Sequence, residues 1–231
     1  MSTNYDRGHG GVSEIRHQKR LLRREVKKVL AQLTDKEMEA QSMRVASRVV
    51  DELRMIDSIE SMTLFISCPK LKEVDTSLIL RRALESSSAE KKVYLPRVLD
   101  SDSNMHFLRT RQGDTYDIVP PFGIQEPTLY APDGSKREDI VESDTPLDVI
   151  FMPGLAFSPR GERLGRGGGY YDSFIEKYMT HAKEKGWDTK PTLVGLAFDE
   201  QIVQDPIPTD SHDQLVDLII TPSCVYKCSH S

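Results

Sequence analysis

Apolar positions along the chain change period several times, and the changes mark out its elements. From Ile15 to Leu33 the residues Leu22, Val26, Val29, Leu30 and Leu33 recur at three- and four-residue spacing, which predicts a helix with one apolar face. Its other faces carry Arg16, Lys19, Arg20, Arg23, Arg24, Lys27 and Lys28. The run TDKE (34–37) has the form of a capping box and opens a second helix, with Val45, Val49 and Leu53 on its apolar side. After it, strand-like and helix-like runs alternate. MTLFIS (62–67), KKVYLPRV (91–98), MHFLRT (105–110), LDVIFMPGLAF (147–157), PTLVGLAF (191–198) and LVDLIITP (215–222) read as strands. DTSLILRRALES (75–86) and YYDSFIEKYMTHAKEK (170–185) read as helices. This alternation predicts an α/β fold with a mostly parallel sheet covered on both faces.

Residues 111–146 break the rhythm: they are dense in Pro and Gly, carry aromatics, and predict a functional loop or an insertion. The polar, Gly-rich residues 1–14 predict a disordered tail, residues 15–222 one domain, and residues 223–231 a second polar tail. A chain of 231 residues can bury one large core, and a single α/β unit is the better prior.

Composition narrows the function classes. Hydrophobic residues make up 38% and charged ones 29%, as in soluble proteins, and the formal net charge of −5 argues against a general nucleic-acid coat. No run approaches the roughly 20 apolar residues of a membrane span. The N-terminus lacks the apolar core of a secretory signal and carries Asp6 and Glu14, which transit peptides avoid. A cytoplasmic location is therefore expected, with the mitochondrial matrix left open, and a monomer without nucleic-acid or membrane partners. Cys68, Cys224 and Cys228 are too few and too scattered for a disulfide framework. Cys224 and Cys228 near His230 match zinc spacing only loosely.

The densest chemistry lies in RLGRGGGYYD (163–172). It follows the most apolar strand and precedes a helix, so it belongs at the carboxyl edge of the sheet, where α/β folds bind ligands. Gly165, Gly167, Gly168 and Gly169 permit positive φ and leave backbone N–H groups free to converge on an anion. The helix behind them contributes about half a positive charge at its N-terminus. Arg163 and Arg166 suit bidentate contact with phosphate oxygens, and Asp172 suits Mg²⁺. Neither the dinucleotide fingerprint nor the P-loop pattern is present. A flexible turn with Asp172 as a helix cap is the plain alternative.

Several segments together resemble the 5-formyltetrahydrofolate cyclo-ligase family: KRLLRRE (19–25), FMPGLAFSPRGERLGRGGGYYD (151–172), LVGLAFDEQIV (193–203) and IPTDSHDQLVDLIITP (207–222). The resemblance spans residues 15–222. It implies a three-layer α/β/α sandwich, of the kind shared by sugar-phosphate isomerases and CoA-transferases. It also implies ATP- and Mg²⁺-dependent closure of 5-formyltetrahydrofolate to 5,10-methenyltetrahydrofolate, releasing ADP and phosphate.

Carried over by position, the resemblance makes Arg163, Arg166 and Asp172 catalytic. It assigns nucleotide binding to Lys19, Arg20, Arg23, Arg163, Leu164, Gly165, Arg166, Gly167, Gly168, Gly169, Tyr170 and Tyr171. Folate contacts are implied at Ile66, Glu73, Phe122, Arg166, Gly167, Gly168, Gly169 and Tyr170, and metal ligands at Asp172 and Asp213. Some members of the family carry Lys where this chain has Gly168. His212, beside Asp213, reads as a loop histidine or a proton handler. Two other classes remain to be separated from this one. The first is an isomerase or CoA-transferase relative acting without ATP hydrolysis, and the second is a nucleic-acid adaptor using the basic first helix.

Overall fold

Thr34 starts its helix as the sequence predicts. Its hydroxyl accepts from the Glu37 N–H at 3.2 Å, and the Glu37 carboxylate accepts from the Thr34 N–H at 2.8 Å. The computed structural model describes residues 9–85, 91–100 and 104–229, with 9–12 as backbone only. Helix α1 (His9–Leu30) begins earlier than predicted, so part of the expected disordered tail is helical, while residues 1–8 lie outside the described residues. Val26 and Leu30 are buried, but Val29 is 48% exposed because α1 rests on the protein along a narrow strip. Helix α2 (Asp35–Ser47) runs on into a π-helical stretch, Arg48–Glu52, which turns Leu53 outward. Helices α3 (Met55–Ser58), α4 (Ser77–Leu84) and α5 (Tyr170–Glu184) complete the set.

The central sheet has seven strands in the order β11-β10-β9-β6-β1-β2-β3. These are β1 (Ser61–Thr63), β2 (Lys92–Val98), β3 (Met105–Thr110), β6 (Val149–Met152), β9 (Thr192–Leu196), β10 (Leu218–Ile220) and β11 (Val225–Lys227). The five inner strands pair in parallel, and β3 and β11 add antiparallel edges. β11 falls in the stretch expected to be a polar tail; half-buried Val225 and Tyr226 give it a reason to dock.

Side chains leave the strands alternately to two cores. Val93, Leu95, Val149, Phe151 and Val194 pack with α1–α4, while Tyr94, Ile150, Met152, Leu193 and Ile219 pack with α5. Helices therefore cover both faces, giving the expected three-layer α/β/α sandwich.

Two predicted strands are shorter than their apolar runs. MTLFIS pairs as a strand only over Ser61–Thr63. LDVIFMPGLAF breaks after Met152, because Pro153 has no N–H to give the ladder, and resumes as β7 (Ala156–Phe157) in a hairpin with β8 (Arg163–Leu164). The 111–146 connection is organised rather than a bare loop. It holds the hairpin β4 (Tyr116–Val119) and β5 (Ile124–Pro127), joined through a cis Pro120–Pro121 bond. Buried Arg137 pairs with Asp114 and donates to the Thr128 carbonyl at 2.8 Å, tying the far strap to the hairpin.

From β1 the chain builds the sheet one way through β2 and β3; from β6 it builds the other way through β9 and β10. The carboxyl ends of β1 and β6 thus flank a topological switch point, where open α/β sheets leave a crevice.

Candidate active site

The glycine loop lies over that crevice, reached through β8 and not directly from a parallel strand. Only Gly167 (φ 114°) and Gly169 (φ 68°) of its four glycines use the left-handed region. Gly169 is the N-cap of α5 and offers no side-chain cap, so first-turn N–H groups are left to meet an anion.

Two cavities flank the loop. A polar one of about 710 Å³ lies between the basic side of α1, the loop with the start of α5, and the 210–213 turn. An apolar one of about 260 Å³ opens at the ends of β1 and β6, beneath the β4–β5 hairpin. Arg163, Gly165, Gly169 and Asp172 line both.

In the polar cavity Lys19 is only 7% exposed. Its ammonium donates to Asp210 at 3.1 Å and to Asp213. Arg23 Nε donates to the Gly165 carbonyl at 2.8 Å, binding α1 to the loop. Arg20 is exposed and lies 3.0 Å from His17 Nδ1. Asp172 accepts from Arg163 Nη2 at 2.8 Å and from the Gln214 N–H at 3.0 Å, so it joins β8 to the 210–214 segment. The His212 N–H donates to Asp210, and with Lys19 it holds that carboxyl below its ordinary pKa; the His212 ring is exposed.

On the apolar side Ile66, Phe122 and Tyr170 line the cavity, Phe122 at its rim. Arg166 also lines this cavity and not the polar one. Its Nε donates to Glu73 at 3.3 Å, and Nη2 donates to the Leu71 carbonyl. Gly168 and Tyr171 line the apolar cavity alone, while Gly167 lines the polar one alone. The Leu164 side chain is buried in the core, which leaves only its backbone to face a ligand. The ring of Tyr170 lies on Gly168, where a Cβ would come within 2.5 Å of Cε2; a lysine there would push this ring away.

Sequence reasoning missed Asp210, although it stands three residues before Asp213 and shares its cation. It also missed Glu126, a buried carboxylate on the apolar cavity whose pKa is pushed up by burial. In the sequence Glu126 is one acid within the Pro- and Gly-dense 111–146 stretch, with no spacing to single it out. Cys224 and Cys228 are free thiols, and no cluster of three or more metal-type ligands occurs among the described residues.

Burial pushes the Glu73 carboxyl above its ordinary range, against the opposing pull of Arg166 and the Cys68 N–H. Protonation therefore favours the folded state. The stability this group contributes is complete below its unfolded pKa of about 4.3 and is lost as pH rises through the higher folded value. Relative to wild type, Glu73→Gln is expected to gain stability as pH climbs through that window, as measured by denaturant melts at stepped pH. A pH-independent difference would contradict the assignment.

The molecule is thus an α/β protein with helices on both faces of its sheet, whose switch-point crevice joins a cation-lined cavity to an apolar one. The model of the 5-formyltetrahydrofolate cyclo-ligase family matches residues 15–222, and the chain belongs to that family of ligases. Over 217 residues it is 39% identical to the 5-formyltetrahydrofolate cyclo-ligase, mitochondrial, of Arabidopsis thaliana, covering 93% of this chain and 77% of the relative. It is 31% identical to the Mus musculus 5-formyltetrahydrofolate cyclo-ligase, over 87% and 92% of the two chains. Among solved structures, the 5,10-methenyltetrahydrofolate synthetase of Aquifex aeolicus superposes with a TM-score of 0.67 at 25% identity, covering 92% and 94%. No helix among the described residues is long and apolar enough to cross a membrane.

Proposed function

We propose that this chain closes 5-formyltetrahydrofolate to 5,10-methenyltetrahydrofolate at the expense of ATP, with folate in the apolar cavity and nucleotide in the polar one. The observation that carries this reading is the shared wall: Arg163, Gly165, Gly169 and Asp172 face both compartments. A reaction joining two bound substrates needs such a place of contact. The formyl group is a poor electrophile, because its nitrogen feeds electron density into the carbonyl. Transfer of a phosphoryl group to the formyl oxygen makes that oxygen a leaving group. The neighbouring nitrogen then attacks the formyl carbon and gives up its proton, and phosphate departs with the former formyl oxygen and takes up that proton.

The protein's part is to position the two ligands and balance charge. Lys19, Arg20 and Arg23 present cations from one side of α1, and α5 presents its positive end. The wall and glycine loop supply Arg163 and backbone N–H groups to the phosphates. Ile66, Phe122 and Tyr170 offer an apolar seat for the pterin, with Glu73 and Arg166 as its polar partners. Asp172 and Asp213 fit Mg²⁺: both are hard oxygen donors on the polar cavity, too few for a closed cage, as suits a cation that keeps waters. When bound, Mg²⁺ would neutralise charge on the phosphate chain. The reading keeps the enzyme monomeric and cytoplasmic, and the name of the Arabidopsis relative keeps the matrix open.

Purified protein with Mg-ATP is expected to convert 5-formyltetrahydrofolate into a species with methenyl absorbance, releasing one ADP per ring closed. Conversion without ADP would favour the isomerase or transferase class; no conversion at saturating Mg-ATP would reject the proposal.

A further inference from the structure

Most buried polar side-chain atoms in the described residues have partners; Ser61 Oγ, Thr63 Oγ1, His181 Nε2, Arg163 Nε and Tyr171 Oη do not. Of these residues, only Arg163 and Tyr171 line either cavity, and both line the apolar one. They are also neighbours: the Arg163 guanidinium lies 5.7 Å from the centre of the Tyr171 ring. The other nitrogens of Arg163 are engaged, Nη2 by Asp172 and Nη1 by the Pro153 carbonyl at 3.3 Å. The Tyr171 ring packs edge-on against Phe107, with centroids 6.1 Å apart, so it is fixed while its hydroxyl goes unsatisfied. A buried hydroxyl with no partner carries a desolvation penalty, which a ligand accepting its hydrogen bond would remove.

We infer that Tyr171 donates a hydrogen bond to the formyl oxygen of the folate at the wall between the two cavities. This inference rests on the reading that folate and ATP occupy those cavities, and it adds the atom that holds the reacting carbonyl. The formyl oxygen must reach the wall to meet the phosphate chain, and Tyr171 precedes Asp172, one of the four residues that form it. Arg163 Nε, the second orphan donor, stands beside it. Burial raises the Tyr171 pKa well above the phenol range; the charge of Glu73 adds to the rise and that of Arg163 opposes it. The phenol therefore keeps its proton and has it to donate. It orients the oxygen before phosphorylation and stabilises charge on it as the phosphate leaves.

Tyr171→Phe keeps the ring and removes only the orphan hydroxyl. The free variant is expected to melt at or above the wild-type temperature, because no internal hydrogen bond is lost. Wild type should gain more thermal stability from 5-formyltetrahydrofolate than from tetrahydrofolate, which has no formyl group, and the variant should lose that difference. Its kcat/KM for 5-formyltetrahydrofolate should fall about 100-fold, the scale for losing one preorganised donor, with the KM for ATP unchanged. A variant with unaltered kcat/KM, or one that melts lower yet keeps the preference for the formylated ligand, would overturn the inference alone. A wild-type protein that neither binds nor cyclises the formyl compound would overturn the proposed function, and this inference with it.

Discussion

Asp172→Asn is expected to lower turnover at saturating substrates about a thousandfold, at the upper end of what one site electrostatic group supplies, and to destabilise the free protein by about 3 kcal/mol. The two effects have separate causes. The Arg163 side chain is 4% exposed and its charge is met by Asp172 at 2.8 Å. Asparagine keeps an oxygen for the Gln214 N–H but leaves that guanidinium without a counter-charge, and breaking a buried pair costs more than the pair contributes when intact. Asp172 is 19% exposed, which puts the cost at the low end of the range. The loss of turnover belongs to its place on the shared wall and to the Mg²⁺ it is proposed to hold. A denaturant melt and a Mg²⁺ titration of activity separate the two effects. A variant that loses stability yet turns over normally would reduce Asp172 to a partner for Arg163.

Lys19→Ala is expected to raise the KM for ATP at least about tenfold, the equivalent of one charge-assisted contact, and to leave the KM for folate within about twofold. Lys19 is a buried cation of the polar cavity, and its ammonium keeps Asp210 and Asp213 together. Without it the two carboxylates repel each other and the negative potential of the chamber rises against an incoming triphosphate. Initial rates with each substrate varied in turn decide the matter. A selective rise in the folate KM would instead place the anionic glutamate end of the substrate against α1.

What the sequence revealed was mostly local. The capping box of α2 is complete within TDKE, and the alternation of strand and helix is carried by short windows, so the layered architecture could be read before any contact was known. Where ladders stop could not. Phe151 and Phe157 are equally apolar, yet Pro153 lies between them and the pairing ends at Met152. Periodicity placed Val29 and Leu53 inside, but the narrow seat of α1 and the π-helical turn after α2 put both at the surface. In the site, charge alone sent Arg163 and Arg166 to the same phosphates. In the fold they part: Arg163 is held by Asp172, and Arg166 by Glu73, 93 residues away in the chain. Such pairings depend on tertiary geometry and leave no period to detect. The orphan hydroxyl of Tyr171 is invisible for the same reason, since an unmade bond has no sequence signature.

The last strand has a consequence for handling the protein. Val225–Lys227 closes one margin of the sheet with a three-residue ribbon, too short to template much of another chain. A chain cut after Thr221 would bare the outer row of amide and carbonyl groups on β10, flanked by Ile219 and Ile220, and invite strand addition between molecules. Affinity handles therefore belong beyond Lys227, never in place of the residues that shield that row.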